Sequence, residues 1–189
     1  MNEELRSRWE ERYRERSVQA PEPFVLEALP LLPRGRALDV AAGAGRNSVL
    51  LGRAGFQVQA LDFSFTALQR LAAVARSESL PIACAVVDLD DFAVPEQHYD
   101  LIANINFLNR RLIPKLKHGL RIGGALLFET FLSDQAQVGH PSNPEFLLEH
   151  YELRELLSGL ELLRYHERLT VSPRGAKSWR AGAIALRRV

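Results

Sequence analysis

Cysteine is almost absent from this chain: Cys84 stands alone among 189 residues, which excludes an intramolecular disulfide framework. The five histidines are scattered, with no His-x-x-x-His or Cys-x-x-Cys spacing, so no structural zinc site is encoded and no metal is expected. No apolar run approaches the length of a membrane span, and the opening Met1-Asn2-Glu3-Glu4-Leu5-Arg6 is unlike a secretory signal. The expectation is a cytoplasmic protein without a membrane partner. An excess of charge of one sign is also missing. The formal net charge is +1, so the whole-molecule field gives no strong pull toward nucleic acid, and none is expected as a partner. What is present is the usual soluble balance of 47% hydrophobic and 25% charged residues. The length suits one domain with a substantial core. We read 1–189 as that domain, with a helical cap over 1–32 and the core over 36–189.

Residues 2–16 are dense in Glu and Arg, with Leu5, Trp9 and Tyr13 recurring every fourth position, the spacing of an amphipathic helix. Pro21-Glu22-Pro23 opens a short apolar helix running to about Pro30. Strand and helix then alternate. Strands are predicted at 37–40, 56–61, 82–87, 99–103 and 125–128, with helices over 46–54, after Ser64, and from Pro114 to Gly119. Gly123-Gly124 reads as a turn, 133–144 as a loop, and 146–157 as a helix. Two last strands, 162–171 and 179–186, flank a hairpin turn at Pro173-Arg174-Gly175. Repeated βα units imply a parallel sheet, because parallel neighbours need crossover connections; the closing hairpin adds one antiparallel strand.

The informative segment is Leu38-Asp39-Val40-Ala41-Ala42-Gly43-Ala44-Gly45-Arg46-Asn47. In doubly wound sheets ligands sit at the carboxyl ends of the strands, where the strand order reverses. A Gly-x-Gly turn there lets the backbone approach a ligand that a Cβ would repel. Two cofactor classes compete for such a turn. The dinucleotide fingerprint wants a third glycine where Ser48 stands, and a pyrophosphate on the helix N-terminus. Asp39, at the strand end, would oppose a pyrophosphate but would pair with an ammonium. Asp62 ends the second strand, placed for ribose hydroxyls, and Asp88 ends the third, placed for an adenine amino group. Three strand-end acids suit a ligand with an ammonium, a ribose and an adenine, and no phosphate.

On these residues the chain resembles the class I S-adenosylmethionine-dependent methyltransferases, in the small single-domain branch of tellurite-resistance-type and thiopurine-type enzymes. Trp9-x-x-Arg12-Tyr13 is similar to the helix that closes over the cofactor in that branch. Asp39-x-Ala41-x-Gly43-x-Gly45-Arg46-Asn47 is similar to its cofactor loop, with Ala41-Ala42 where a Gly-Cys pair is more usual. Asp62, with Phe63 beside it, matches the ribose acid, and Asp88-Leu89 the adenine-edge pair. Arg121-x-Gly123-Gly124, then Glu129-Thr130-Phe131, is similar to the turn and strand before the active-site loop; His140-Pro141-Ser142-Asn143-Pro144 and Phe146-Leu147-Leu148 are similar to the segment after it. The resemblance implies an α/β Rossmann-like fold: a doubly wound, seven-stranded, mostly parallel sheet of order 3-2-1-4-5-7-6, with strand 7 antiparallel and helices on both faces. It also implies S-adenosylmethionine as cofactor and S-adenosylhomocysteine as product.

Asn104-Ile105-Asn106-Phe107 follows the fourth strand and reads as an active-site wall, with Asn104 near both cofactor and transferring methyl. It lacks the prolines of the motif that grips a flipped base. His140 and Glu129 are the candidate general bases. Arg110, Arg111, Lys115, Lys117 and His118 form one basic cluster; Arg174, Lys177, Arg180, Arg187 and Arg188 form another. Both read as solvated charge, with Arg110 or Arg111 as an anion holder. Cys84 reads as an inert core thiol. The expected acceptor is a small molecule such as a thiol or chalcogen oxyanion. The alternatives are an RNA or protein methyltransferase, a non-catalytic adenosyl-ligand-binding protein and a nicotinamide-dependent oxidoreductase.

Overall fold

The computed structural model describes residues 3–15, 19–171 and 175–189. Pro173 and Arg174 of the predicted hairpin turn lie outside the described residues, and the Leu5 side chain of the predicted stripe is likewise outside them. The chain opens with α1 (Glu3–Glu15) and α2 (Pro23–Ala28). Strand and helix then alternate through β1 (Arg36–Val40), α3 (Arg46–Arg53), β2 (Gln57–Asp62), α4 (Phe65–Ser77), β3 (Ile82–Val86), β4 (Tyr99–Ile105), α5 (Ile113–Gly119) and β5 (Leu120–Phe131). The one-turn helix α6 (Gln135–Val138), α7 (Glu152–Leu156), β6 (Glu161–Val171) and β7 (Lys177–Leu186) complete it.

The seven strands form one sheet in the order β3-β2-β1-β4-β5-β7-β6. β7 runs antiparallel to both neighbours, and the remaining pairs are parallel, as the resemblance implies. Alternate side chains serve opposite faces. Leu38, Ile102, Leu126 and Phe128 pack with Ile113 and Leu116 of α5 and Leu153 of α7. Ala37, Leu101, Ala103 and Leu127 pack with Phe24 and Val25 of α2 and Leu51 of α3. Residues 87–98, between β3 and β4, form no helix, and an open cleft of about 490 Å³ lies beside Arg36, Gln57, Gln59, His98 and Tyr99. The cleft lies at the amino-terminal end of the strands, opposite the glycine turn.

Three local expectations are corrected. The strand expected at 125–128 extends over Leu120–Phe131 and contains Gly123-Gly124, which were expected to form a turn ahead of it. The pair makes an irregularity within the strand, where the register jumps from Tyr99↔Leu120 to Leu101↔Ala125. Gly123 adopts φ +82°, and a Cβ on Gly124 would lie 2.9 Å from the Arg121 carbonyl oxygen. The helix expected over 146–157 is reduced to Glu152–Leu156. Leu148 instead bridges Leu132 in parallel, its N–H donating to Phe131 O (2.9 Å) and its carbonyl accepting from Ser133 N–H (2.8 Å). Pairing with the end of β5 overrides a helix-compatible local pattern. Finally, Cys84, expected within the core, is half-buried on the edge strand β3, where it packs against the Ala60, Leu68 and Leu71 cluster; burial raises its thiol pKa.

Candidate active site at the carboxyl ends of the strands

Strand order reverses between β1 and β4, and the glycine turn leaves β1 at that point. Ala41, Gly43 and Gly45 all have positive φ, at 53°, 56° and 79°. Gly45 is the N-cap of α3, and a Cβ there would overlap Leu71 of α4. A Cβ on Gly43 would meet the Tyr13 hydroxyl at 2.5 Å, so α1 lies directly over the turn. Glycine is required at both positions by conformation and by space.

Asp39 is 2% exposed and accepts a 2.5 Å hydrogen bond from the Ser48 hydroxyl. Burial pushes its carboxyl up to about 6, against the opposing effects of Ser48 and Arg46. Asp62, equally buried, accepts from Gly43 N–H (2.7 Å) and, through its other oxygen, from Ser64 N–H (2.9 Å). Burial raises its pKa too, and the neighbouring Glu10 adds to the shift. Glu10 reaches from α1 to the start of α4. Burial there works against its charge, but hydrogen bonds from the Thr66 and Ser64 hydroxyls and from Phe65 and Thr66 N–H hold it below the usual carboxylate range. Two buried, pKa-raised carboxylates on either side of a glycine cradle form an acceptor set that suits a cationic, hydroxyl-bearing ligand.

The other expected cofactor residues divide into groups. Trp9 stacks on Tyr13 with centroids 5.8 Å apart, and Arg12 lies over the Trp9 ring on the exposed side. Asn47 is buried and accepts from Glu22 N–H at 3.1 Å, while Arg46 pairs with the Glu22 carboxylate at 2.5 Å. Phe63 is half-buried beside Asp62. Asp88 closes a turn by accepting from Asp90 N–H, and Leu89 is buried in the core.

A second cluster is gathered at the ends of β4, β5 and β7. Asn104 is 1% exposed and uses its amide to cap Phe107 O at 2.7 Å. Asn106 has φ 60°; its amide donates to Glu22 Oε1 (2.7 Å) and its oxygen accepts from Arg180. Glu129 is 4% exposed and lies 3.1 Å from His166 Nε2 and 3.7 Å from the Arg180 guanidinium. Arg180 packs over Phe131 at 4.1 Å. Burial lowers its pKa, with Glu22 and Glu129 opposing that shift. Its expected role as solvated charge is therefore corrected. Arg110 is also committed elsewhere: it holds Glu152 through two bonds of 2.5 and 2.9 Å and donates to Leu147 O. His140 is exposed, and the hydrogen bond there is made by its carbonyl, which accepts from Gln135.

Glu10, Glu22 and His166 were not singled out from sequence. The signal available for Glu22 was an acid flanked by prolines; for the other two there was none beyond helical or strand spacing.

Known proteins give the site its context. A Haemophilus influenzae protein named "Probable S-adenosyl-L-methionine-dependent methyltransferase TehB" is 28% identical over 152 residues, covering 77% of this chain and 52% of its own length. This chain thus spans about half the length of that relative. The crystal structure of TehB from Haemophilus influenzae superposes with a TM-score of 0.78 at 26% identity, over 92% of this chain and 65% of that one. A structure from Methanosarcina mazei, described as one of the SAM-dependent methyltransferases, shares the fold with a TM-score of 0.71 at 17% identity, covering 89% of this chain and 99% of that one. The family model described as "Tellurite resistance protein TehB" matches residues 7–176, and the chain belongs to that family.

Proposed function

We propose that the protein binds S-adenosylmethionine over the β1–α3 turn and transfers its methyl group to a small anionic or soft nucleophile, such as a thiol or chalcogen oxyanion. The cofactor half of this reading is supported by the buried acids around the glycine cradle and by the names of the relatives. Asp39 would take the ammonium, Asp62 the ribose hydroxyls through its remaining lone pairs, and Asp88 the adenine edge. When bound, the cofactor supplies an electrophilic methyl on a sulfonium.

The observation that carries the acceptor half is Arg180. Its side chain is only 11% exposed, yet its carboxylate neighbours stand at 3.7 and 4.0 Å, beyond direct hydrogen-bonding range. The guanidinium donates to the neutral Asn106 amide oxygen and is hydrogen-bonded to neither of these carboxylates, which would favour a closer anionic partner. Arg180 would fix the acceptor beside the methyl in a near-attack arrangement of roughly 3 Å. Glu129, which lies 3.1 Å from His166 Nε2, would take a proton from an acceptor that arrives protonated. Trp9 and Tyr13 on α1 would exclude water.

The test is methyl-labelled S-adenosylmethionine with selenite, tellurite and a small thiol as acceptors. Label should appear in at least one product, and Arg180→Gln should lower turnover of an anionic acceptor about a hundredfold, with S-adenosylhomocysteine affinity kept within about twofold. Equal turnover in that variant would remove Arg180 from the acceptor site. Failure to methylate any of the three by cofactor-bound protein would contradict the acceptor reading.

A further inference from the structure

Glu22 occupies the N-cap position of α2, between two prolines, where an acid would ordinarily accept from the first N–H groups of the helix. Its side chain makes no such bond. It turns inward to 13% exposure and places Oε1 2.5 Å from Arg46 Nη2, 2.7 Å from Asn106 Nδ2 and 4.0 Å from Arg180 Nη2. The backbone on the same residue is tied to the cofactor turn through Asn47. A guanidinium and an amide N–H donating to one oxygen, with the Arg180 guanidinium 4.0 Å away, resemble the donor set of an oxyanion site. Here that oxygen belongs to the protein.

We propose that Glu22 is a tethered occupant of the acceptor's anion slot, and that it sets acceptor selectivity by making every incoming anion displace a carboxylate. The inference rests on the acceptor reading above and deepens it. A side chain held beside its site acts as a competitor at an effective concentration in roughly the millimolar range. The apparent affinity of a free anion is then reduced by the fraction of time the slot stands open. Weakly held monoanions fail against such a competitor. An anion with several oxygens, able to engage Arg46, Asn106 and Arg180 together, succeeds. Because Arg46 begins α3, displacement of Glu22 would also break its side-chain link to the cofactor turn, while the Glu22 N–H bond to Asn47 holds the backbone in place.

The experiment is calorimetric titration of selenite into protein saturated with S-adenosylhomocysteine, comparing the unaltered protein with Glu22→Gln and Glu22→Asp. Glu22→Gln keeps the shape and removes the charge; selenite should bind about tenfold more tightly or better. Glu22→Asp withdraws the carboxylate by one methylene and should bind with intermediate affinity. It carries the comparison if the Gln variant does not fold. Unchanged or weaker selenite binding, with S-adenosylhomocysteine affinity intact, would overturn the inference and leave Glu22 as a structural tether. Selenite that binds neither the unaltered protein nor the variants would overturn it equally. Absence of S-adenosylhomocysteine binding by the unaltered protein would instead defeat the cofactor reading.

Discussion

Asp39 is buried, and the side chain that donates to its carboxyl is the neutral Ser48 hydroxyl. With the folded carboxyl raised to about 6, the native state holds a proton that an unfolded aspartate would release near 3.8. The associated stability is present below the unfolded value and is lost as pH rises through about 6. Binding of an ammonium ligand has the opposite sense, because only ionised Asp39 pairs with it. S-adenosylmethionine affinity should therefore rise about tenfold between pH 5 and pH 7.5, and Asp39→Asn should bind weakly with no such slope. A flat profile in the unaltered protein would remove Asp39 from the ammonium site. Asp39, Gly43, Gly45 and Asp62 were legible in the sequence because a short turn and the ends of adjacent strands bring them together. Arg180 and Glu22 were not, since they reach Asn106 across separations of 74 and 84 residues, which no local pattern encodes.

The turn between β1 and α3 contains three residues in the left-handed region, and only two are glycine. Ala41 at φ 53° bears a Cβ that the conformation disfavours by about 1–2 kcal/mol. Part of that gain from glycine is offset by the entropy the unfolded chain would regain. Ala41→Gly should raise unfolding stability by about 0.5–1 kcal/mol, seen as a higher denaturant midpoint at unchanged m-value. A lower midpoint would mean that the Ala41 methyl contributes packing that outweighs its strain. Elements read from periodicity alone fared according to their surroundings. The Ser64 cap, accepting from Ala67 N–H at 3.1 Å, and the buried face of Leu68, Leu71 and Ala75 follow the pattern. The segment from Phe146 to Leu157 does not, because Leu148 pairs with Leu132 at the end of a distant strand. Gln135 shows the same kind of nonlocal control. It is polar yet 2% exposed, and it ties the 133–144 segment to β7 by accepting from Trp179 N–H at 2.9 Å.

At the scale of the whole molecule, the sheet order places two chemically different sites side by side. The turn after β1 with the acids of β1 and β2 forms the proposed cradle for a cationic nucleoside, and the ends of β4, β5 and β7 gather a buried guanidinium between two carboxylates. Glu22 of the cap segment touches both. The strand order was legible because family resemblance carries topology; the cluster proposed to hold the acceptor was not, because it depends on where β7 returns against β5. The central claim is the identity of the nucleoside. Parallel titrations with S-adenosylhomocysteine and NAD, using the unaltered protein and Asp62→Ala, address it most directly. The account predicts saturable binding of S-adenosylhomocysteine, no binding of NAD, and at least a tenfold loss of affinity in a folded Asp62→Ala protein. Binding of NAD in place of S-adenosylhomocysteine would contradict it.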